Sequence, residues 1–241
     1  MKRNLLLTIV SFIFILSPSF VLAQMFSVGE TTQQRVISNS FIRFGYGPAT
    51  FEYTGNDLNP SGTEILAFDN NAFFVSLETP GVNLSLILGN ELSGFDEKNY
   101  FDLSFTLSNK FALVRERSVI MGLPIQLHSS ITNINNDQTE ENFNQVNFGV
   151  GGGGFIDLKL GNRISFTNEL VPGYGFSNSS GGFFGGSFFY VVGKSRINFN
   201  NIILGRSFSL GYDFNYRSFD IDDELYDFDL KSHLLTIGIS L

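Results

Sequence analysis

Downstream of residue 39 the chain alternates apolar and polar residues with a period of two. In 101–108, Phe101, Leu103, Phe105 and Leu107 share one parity, and Asp102, Ser104, Thr106 and Ser108 the other. In 207–217, Phe208, Leu210, Tyr212, Phe214 and Tyr216 alternate with Ser207, Ser209, Gly211, Asp213, Asn215 and Arg217. Segments 82–89, 145–160 and 234–241 behave alike. Over the five, 23 of 25 positions of one parity are apolar against 3 of 26 of the other. Successive strand residues point to opposite faces, so this is the period of strands with one apolar and one polar side.

Ten such strands are expected, near 40–47, 72–79, 82–90, 99–108, 118–131, 143–158, 163–175, 183–199, 205–219 and 226–241. The connections alternate in character. Those at 48–71, 90–99, 132–142, 177–182 and 220–225 are polar and often acidic; those at 79–81, 109–117, 161–162 and 200–204 are mostly tighter or less acidic. Long loops on one side and short turns on the other fit an all-β, up-and-down antiparallel transmembrane β-barrel of about ten strands, within eight to twelve. An even count puts both barrel termini on the short-turn, periplasmic side.

A soluble sandwich also alternates, with its apolar face inward. Here the polar face carries Arg43, Glu78, Asp102, Asp157, Glu169, Lys194, Arg196, Asp213 and Arg217 at mid-strand. A sandwich core would hold these only by dense pairing, whereas a barrel lumen is polar. Tyr46, Tyr174, Tyr212, Tyr216 and Tyr226 fall near the expected outer strand ends, where aromatic girdles sit. Composition agrees: 28 Phe and 8 Tyr in 241 residues coexist with a mean hydropathy of only +0.10. Aromatics sorted onto a lipid-facing surface explain both numbers.

Charge and leader narrow the picture further. The net charge of −8 excludes a basic nucleic-acid surface, and the lack of Cys excludes a thiolate metal site, a Cys nucleophile and a lipidated N-terminal Cys. Lys2 and Arg3, the apolar run Leu5–Leu16 and Val21-Leu22-Ala23 predict a signal peptide over 1–23. Residues 24–39 then form a periplasmic N-terminal arm, and 40–241 the barrel.

The C-terminal Ser232-His-Leu-Leu-Thr-Ile-Gly-Ile-Ser-Leu241 resembles the final strand read by the barrel-assembly machinery, although its last residue is Leu rather than an aromatic. Met121-Gly-Leu-Pro-Ile-Gln-Leu127, Phe148-Gly-Val-Gly-Gly-Gly-Gly154 and Gly211-Tyr-Asp-Phe-Asn-Tyr216 are similar to phrases of the outer-membrane β-barrel domain family, which includes PorT-like proteins. That resemblance spans roughly 40–241. It implies the bacterial outer membrane, and carries no catalytic residues.

Four motifs invite chemistry. The glycines at 149 and 151–154 lack the Gly-Lys-Ser/Thr of a phosphate loop; in a strand they permit curvature or the close approach of a bulky neighbour across the lumen. Gly193-Lys194-Ser195 has Phe188 where a phosphate loop needs its first Gly. His128 and Ser130 share a strand face, with Glu141 beyond, an arrangement able to activate a hydroxyl and similar to lipid A deacylase barrels. That family carries its motif near the chain end, and here the carboxylate spacing is short. The acidic run from Asp220 to Asp229 lacks the glycine of a calcium loop and reads as a solvated outer loop.

The expected lumen-lining set is Arg43, Asp102, Asp157, Glu169, Lys194, Arg196, Asp213 and Arg217, with no cofactor or metal. Lys194 and Arg196 are expected to meet Glu169 and Asp213 across neighbouring strands, either as struts of a filled interior or as the selectivity lining of a small channel. A non-enzymatic membrane barrel is the leading reading. The channel follows it, then a lipid hydrolase built on His128, Ser130 and Glu141. Expected partners are outer-membrane lipid and lipopolysaccharide, the barrel-assembly machinery during biogenesis, and secretion or surface-complex proteins. In the last strand Phe228 and Leu230 break parity with Leu235–Leu241, through either a bulge near Ser232 or departure from the membrane there.

Overall fold

The computed structural model describes residues 40–55, 66–95, 97–138, 142–179, 186–203, 205–221 and 227–241. The leader and arm (1–39), Glu141, Tyr226 and the acidic stretch 222–226 lie outside the described residues. Eleven strands are present among them: β1 (Phe41–Tyr53), β2 (Phe68–Thr79), β3 (Val82–Gly89), β4 (Lys98–Arg115), β5 (Val119–Asn136), β6 (Asn142–Gly152), β7 (Gly154–Lys159), β8 (Ile164–Ser179), β9 (Gly186–Ile203), β10 (Arg206–Ile221) and β11 (Phe228–Ser240). Sequence neighbours pair antiparallel, except that β6 and β7 both lie between β5 and β8, and β1 pairs with β11, so the sheet closes.

β6 and β7 form a single stave. Both lie between β5 and β8, and the register runs unshifted through the break at Gly153, from Ile125↔Gly152 to Gly122↔Phe155 on one side and from Gly151↔Gly173 to Gly154↔Leu170 on the other. Pro124 and Pro172 stand beside the break on the two flanking strands. Neither has an N–H to give the ladder, which interrupts the hydrogen bonding without displacing the chain. The barrel therefore has ten staves, as the alternation predicts.

The pairings also fix its stagger. From Phe41 they pass through Glu78, Asn83, Thr106, His128, Gly149, Gly175, Phe188, Phe219 and Phe228 back to β1 at Tyr53, twelve residues above the start. A stagger of that size over ten staves tilts the strands by about 40°.

Outward positions carry an apolar belt that includes Phe44, Phe105, Leu127, Val150, Leu170, Leu210 and Ile237, all exposed. Tyr46, Phe73, Phe101, Phe148, Tyr174 and Phe189 crowd its upper edge. These rings face outward from a closed sheet, where water would be the wrong solvent for them and acyl chains the right one.

Three expectations need correction. Aromatics are not confined to the outside: above the belt the pattern inverts, and Phe51, Phe68, Phe143, Phe188, Tyr190, Phe219 and Phe228 fill the interior. For the same reason β1 continues to Tyr53 rather than ending near residue 47. At the other rim, 109–117 is mostly strand, since β4 runs to Arg115 and only 116–118 turn. β3 stops opposite Leu107, so beyond Ser108 β4 is paired only with β5. The parity change in β11 is not a bulge. Its registers with β1 and β10 are unshifted, Phe228 and Leu230 point inward, and the strand rises above the belt.

Candidate functional site

Among the described residues, charged side chains of both signs converge in the lumen. Parity puts Arg43 on β1, Glu78 on β2, Asp102 and Lys110 on β4, Glu169 on β8, Lys194 and Arg196 on β9, and Asp213 and Arg217 on β10 all facing inward. Asp157 on β7 joins them at the lower end, half-buried, with Oδ1 unpaired. The ten form five cations and five anions, so the interior is neutral in a chain whose net charge is −8.

They bond in two tiers. In the lower tier Arg43 Nε donates to Glu78 at 2.5 Å and its Nη1 to Ser209 Oγ at 2.9 Å. Lys194 reaches the same Glu78 at 3.5 Å, and Arg196 Nη2 donates to Asp213 at 2.5 Å. Glu169 is held by Lys110 at 2.6 Å and accepts from Gln126 at 2.5 Å. In the upper tier Arg217 grips Asp102 with both terminal nitrogens, while Ser104 and Thr132 donate to the same carboxylate at 2.8 and 2.7 Å.

Sequence reasoning placed the charges but not all their partners. Arg196–Asp213 forms between adjacent strands. Lys194 sits opposite Glu169 in the register yet bonds to Glu78 instead. Lys110 and Gln126 were missed: Lys110 fell in a segment read as a turn, and Gln126 carries no charge to flag it.

Above the salt bridges lies the aromatic layer. Phe51 stacks on Phe228 at 4.9 Å and 8°, and touches Phe143 at 4.9 Å; Phe68 bridges to Phe95 and Tyr100. Tyr190 lies flat on a floor of glycines. A Cβ at Gly173 would stand 2.2 Å from its ring, and Cβ atoms at Gly149 and Gly151 would come within 2.8 and 2.6 Å. The glycine cluster thus admits a bulky neighbour rather than a phosphate. Sequence carried a signal for this layer: Phe51 shares the parity of Arg43, Phe188 and Tyr190 that of Lys194 and Arg196, and Phe219 that of Asp213 and Arg217.

Between the tiers the free space ringed by Asn83, Asp102, His128, Lys194, Asp213 and Arg217 is about 30 Å³. That leaves room for only a few water molecules.

His128 and Ser130 both point into this packed interior without meeting. Thr106 Oγ1 is 3.3 Å from His128 Nδ1, the imidazole faces Tyr190 at 5.0 Å, and Nε2 has no partner. Ser130 Oγ accepts from Asn147 at 3.0 Å. Among the described residues no hydrogen bond joins His128 to Ser130, and neither reaches the lipid-facing surface. No group of three His, Cys, Asp or Glu side chains able to hold a metal occurs among the described residues.

No protein-family profile and no curated protein matches this chain. Among solved structures it is similar to the outer membrane protease OmpT from Escherichia coli, at 10% identity and a TM-score of 0.42, over 83% of this chain and 95% of that one. It is also similar to Ail, the attachment invasion locus protein of Yersinia pestis, at 12% identity and a TM-score of 0.28, over 85% and 99%. A third is the CymD monoaromatic hydrocarbon channel, at 8% identity and a TM-score of 0.25, over 85% and 89%. None of the three carries a role over to this chain.

Proposed function

We propose that this chain is an integral protein of the bacterial outer membrane whose barrel is closed to conduction and has no catalytic chemistry of its own. It acts as a structural, adhesive or secretion-associated component, through what its rims and surface present. The PorT-like phrases noted in its sequence agree with a secretion-associated role.

The observation that carries the reading is the filled lumen. Struts cross it at two levels, an aromatic layer caps them, and the pocket between the tiers has room for only a few water molecules. A conducting pore would need a continuous wet path, and a hydrolase would need its serine beside its base and open to lipid.

Planar-bilayer recording of the refolded barrel tests it. The expected result is a heat-modifiable, inserted protein with no discrete conductance steps. Regular unitary steps would replace this reading with the channel. Lipid A or phospholipid hydrolysis abolished by Ser130→Ala would replace it with the enzyme.

A further inference from the structure

The belt thins to polar or absent side chains at Asn168, Gly193 and Ser195 on β8 and β9, and opens into a groove on the β6–β7 stave. On the β6–β7 stave the outward positions run Val150, Gly152, Gly154, Ile156, so two successive places carry no side chain. There the wall holds a groove of about 600 Å³ lined by Phe111, Leu123, Pro124, Ile125, Gly152 and Gly153. Its size is that of sites for small apolar ligands, and its walls are almost wholly hydrocarbon.

The charge distribution supplies a second observation. The protein is acidic, yet the short-turn rim carries Arg115, Arg117, Lys159, Arg163 and Arg206 against Glu116 alone among the described residues of these turns and strand ends. Arg115, Arg117 and Arg163 are exposed, and none takes part in the ion pairs found among the described residues. The Lys159 N–H donates to Ser118 O at 2.8 Å, which brings the β4–β5 and β7–β8 tips side by side. Phe111 and Arg115 are four residues apart on one strand, at most about 13 Å, with a bulge between Ala112 and Val114 that turns Arg115 to the other face at the open tip.

We propose that groove and tips together seat one anionic phospholipid of the periplasmic leaflet, with an acyl chain in the groove and the phosphate at Arg115 and Arg117. The groove opens to the bilayer, where acyl chains are the solvent, so an apolar occupant is at hand. A guanidinium pair just below the belt selects a phosphate without a compensating ammonium, by charge and by forked hydrogen bonds. The inference rests on the barrel spanning a bilayer.

The test is native mass spectrometry of the full barrel released from nanodiscs of equal phosphatidylglycerol and phosphatidylcholine. The wild type should retain phosphatidylglycerol in preference. Arg115→Gln and Arg117→Gln should each cut that preference about fivefold. Gly152→Leu and Gly154→Leu should lower total lipid retention. A Cβ at Gly154 meets nothing within 4 Å and one at Gly152 only Pro124 O at 3.8 Å, so both variants have room to fold. Equal retention of the two lipids, a preference untouched by the arginine changes, or a lipid-free dimer seated on the groove would each overturn the seat. A chain that gives no heat-modifiable barrel would instead overturn the membrane reading beneath it.

Discussion

Arg217 and Asp102 clasp one another across the full width of the barrel. With ten staves, β10 and β4 stand five apart by either route around the wall, so the pair is a strut along a diameter. Both side chains are buried, at 5% and 1% exposure, and Ser104 and Thr132 occupy the remaining bonding positions of the carboxylate. A strut of this kind holds opposite walls at a fixed distance, which no cross-strand pair can do.

Removing one end should therefore cost more than removing both. Asp102→Ala leaves a guanidinium buried without its counter-charge, a loss of about 3–5 kcal/mol. The double change Asp102→Leu with Arg217→Met keeps the volume apolar and should recover most of that. Urea unfolding of the refolded barrel, read on the gel shift of the unheated protein, gives both numbers. Equal losses for single and double variants would mean that the pair is not coupled.

The Tyr190 seat predicts a similar non-additivity from packing rather than charge. Gly173→Val drives a side chain into the Tyr190 ring and should destabilise by about 1–3 kcal/mol. In a Tyr190→Ala background the same change should cost far less, because the ring it collides with is gone. A Gly173→Val penalty that is unchanged by Tyr190→Ala would place the strain elsewhere.

How far this was legible in advance differs between the two halves of the barrel. In the belt one face meets lipid and the other a polar lumen, so period-two alternation fixes strand, face and stave count together, and ten were expected and ten are found. Above the belt both faces change solvent at once. Outward positions become polar, as at Glu52, Asp229 and Lys231, while inward ones become Phe51, Phe228 and Leu230. The alternation persists with its sign reversed, and reading apolar as outward then fails for every aromatic in the plug. Salt-bridge partners were less legible still, because the stagger decides which inward residues share a level, and stagger is a property of the closed sheet. Lys194 illustrates this: its register neighbour is Glu169, but its carboxylate is Glu78 from near the far wall.

Sorting of faces by solvent can be checked by a pair of substitutions on β1. Phe44 is 59% exposed near the middle of the belt, and Thr50 has the same outward parity above it. Phe44→Arg should cost about 2–4 kcal/mol and Thr50→Arg about 0–1, following the depth dependence for lipid-facing cations. Similar costs at the two sites would mean that Phe44 does not face lipid.

The lower end of β4 gives the last prediction. The Ser108 N–H donates to Gly81 O at 2.8 Å, and there β3 ends. Alternate residues of a strand address the same neighbour, so the N–H groups of Lys110 and Ala112 point to the side that β3 has left, with no strand to receive them. Thr106 and Ser104, a few residues up the same strand, face the complete ladder. In the detergent-solubilised barrel, amide exchange at Lys110 and Ala112 should be orders of magnitude faster than at Ser104 and Thr106, while Asn109 and Phe111, which address β5, stay protected. Extending β3 downward is the complementary test. Replacing Thr79-Pro80-Gly81 by a hairpin two residues longer in each arm should slow exchange at Lys110 and leave Phe111 unchanged. Protection of Lys110 and Ala112 in the unaltered barrel would show that another strand already covers this edge.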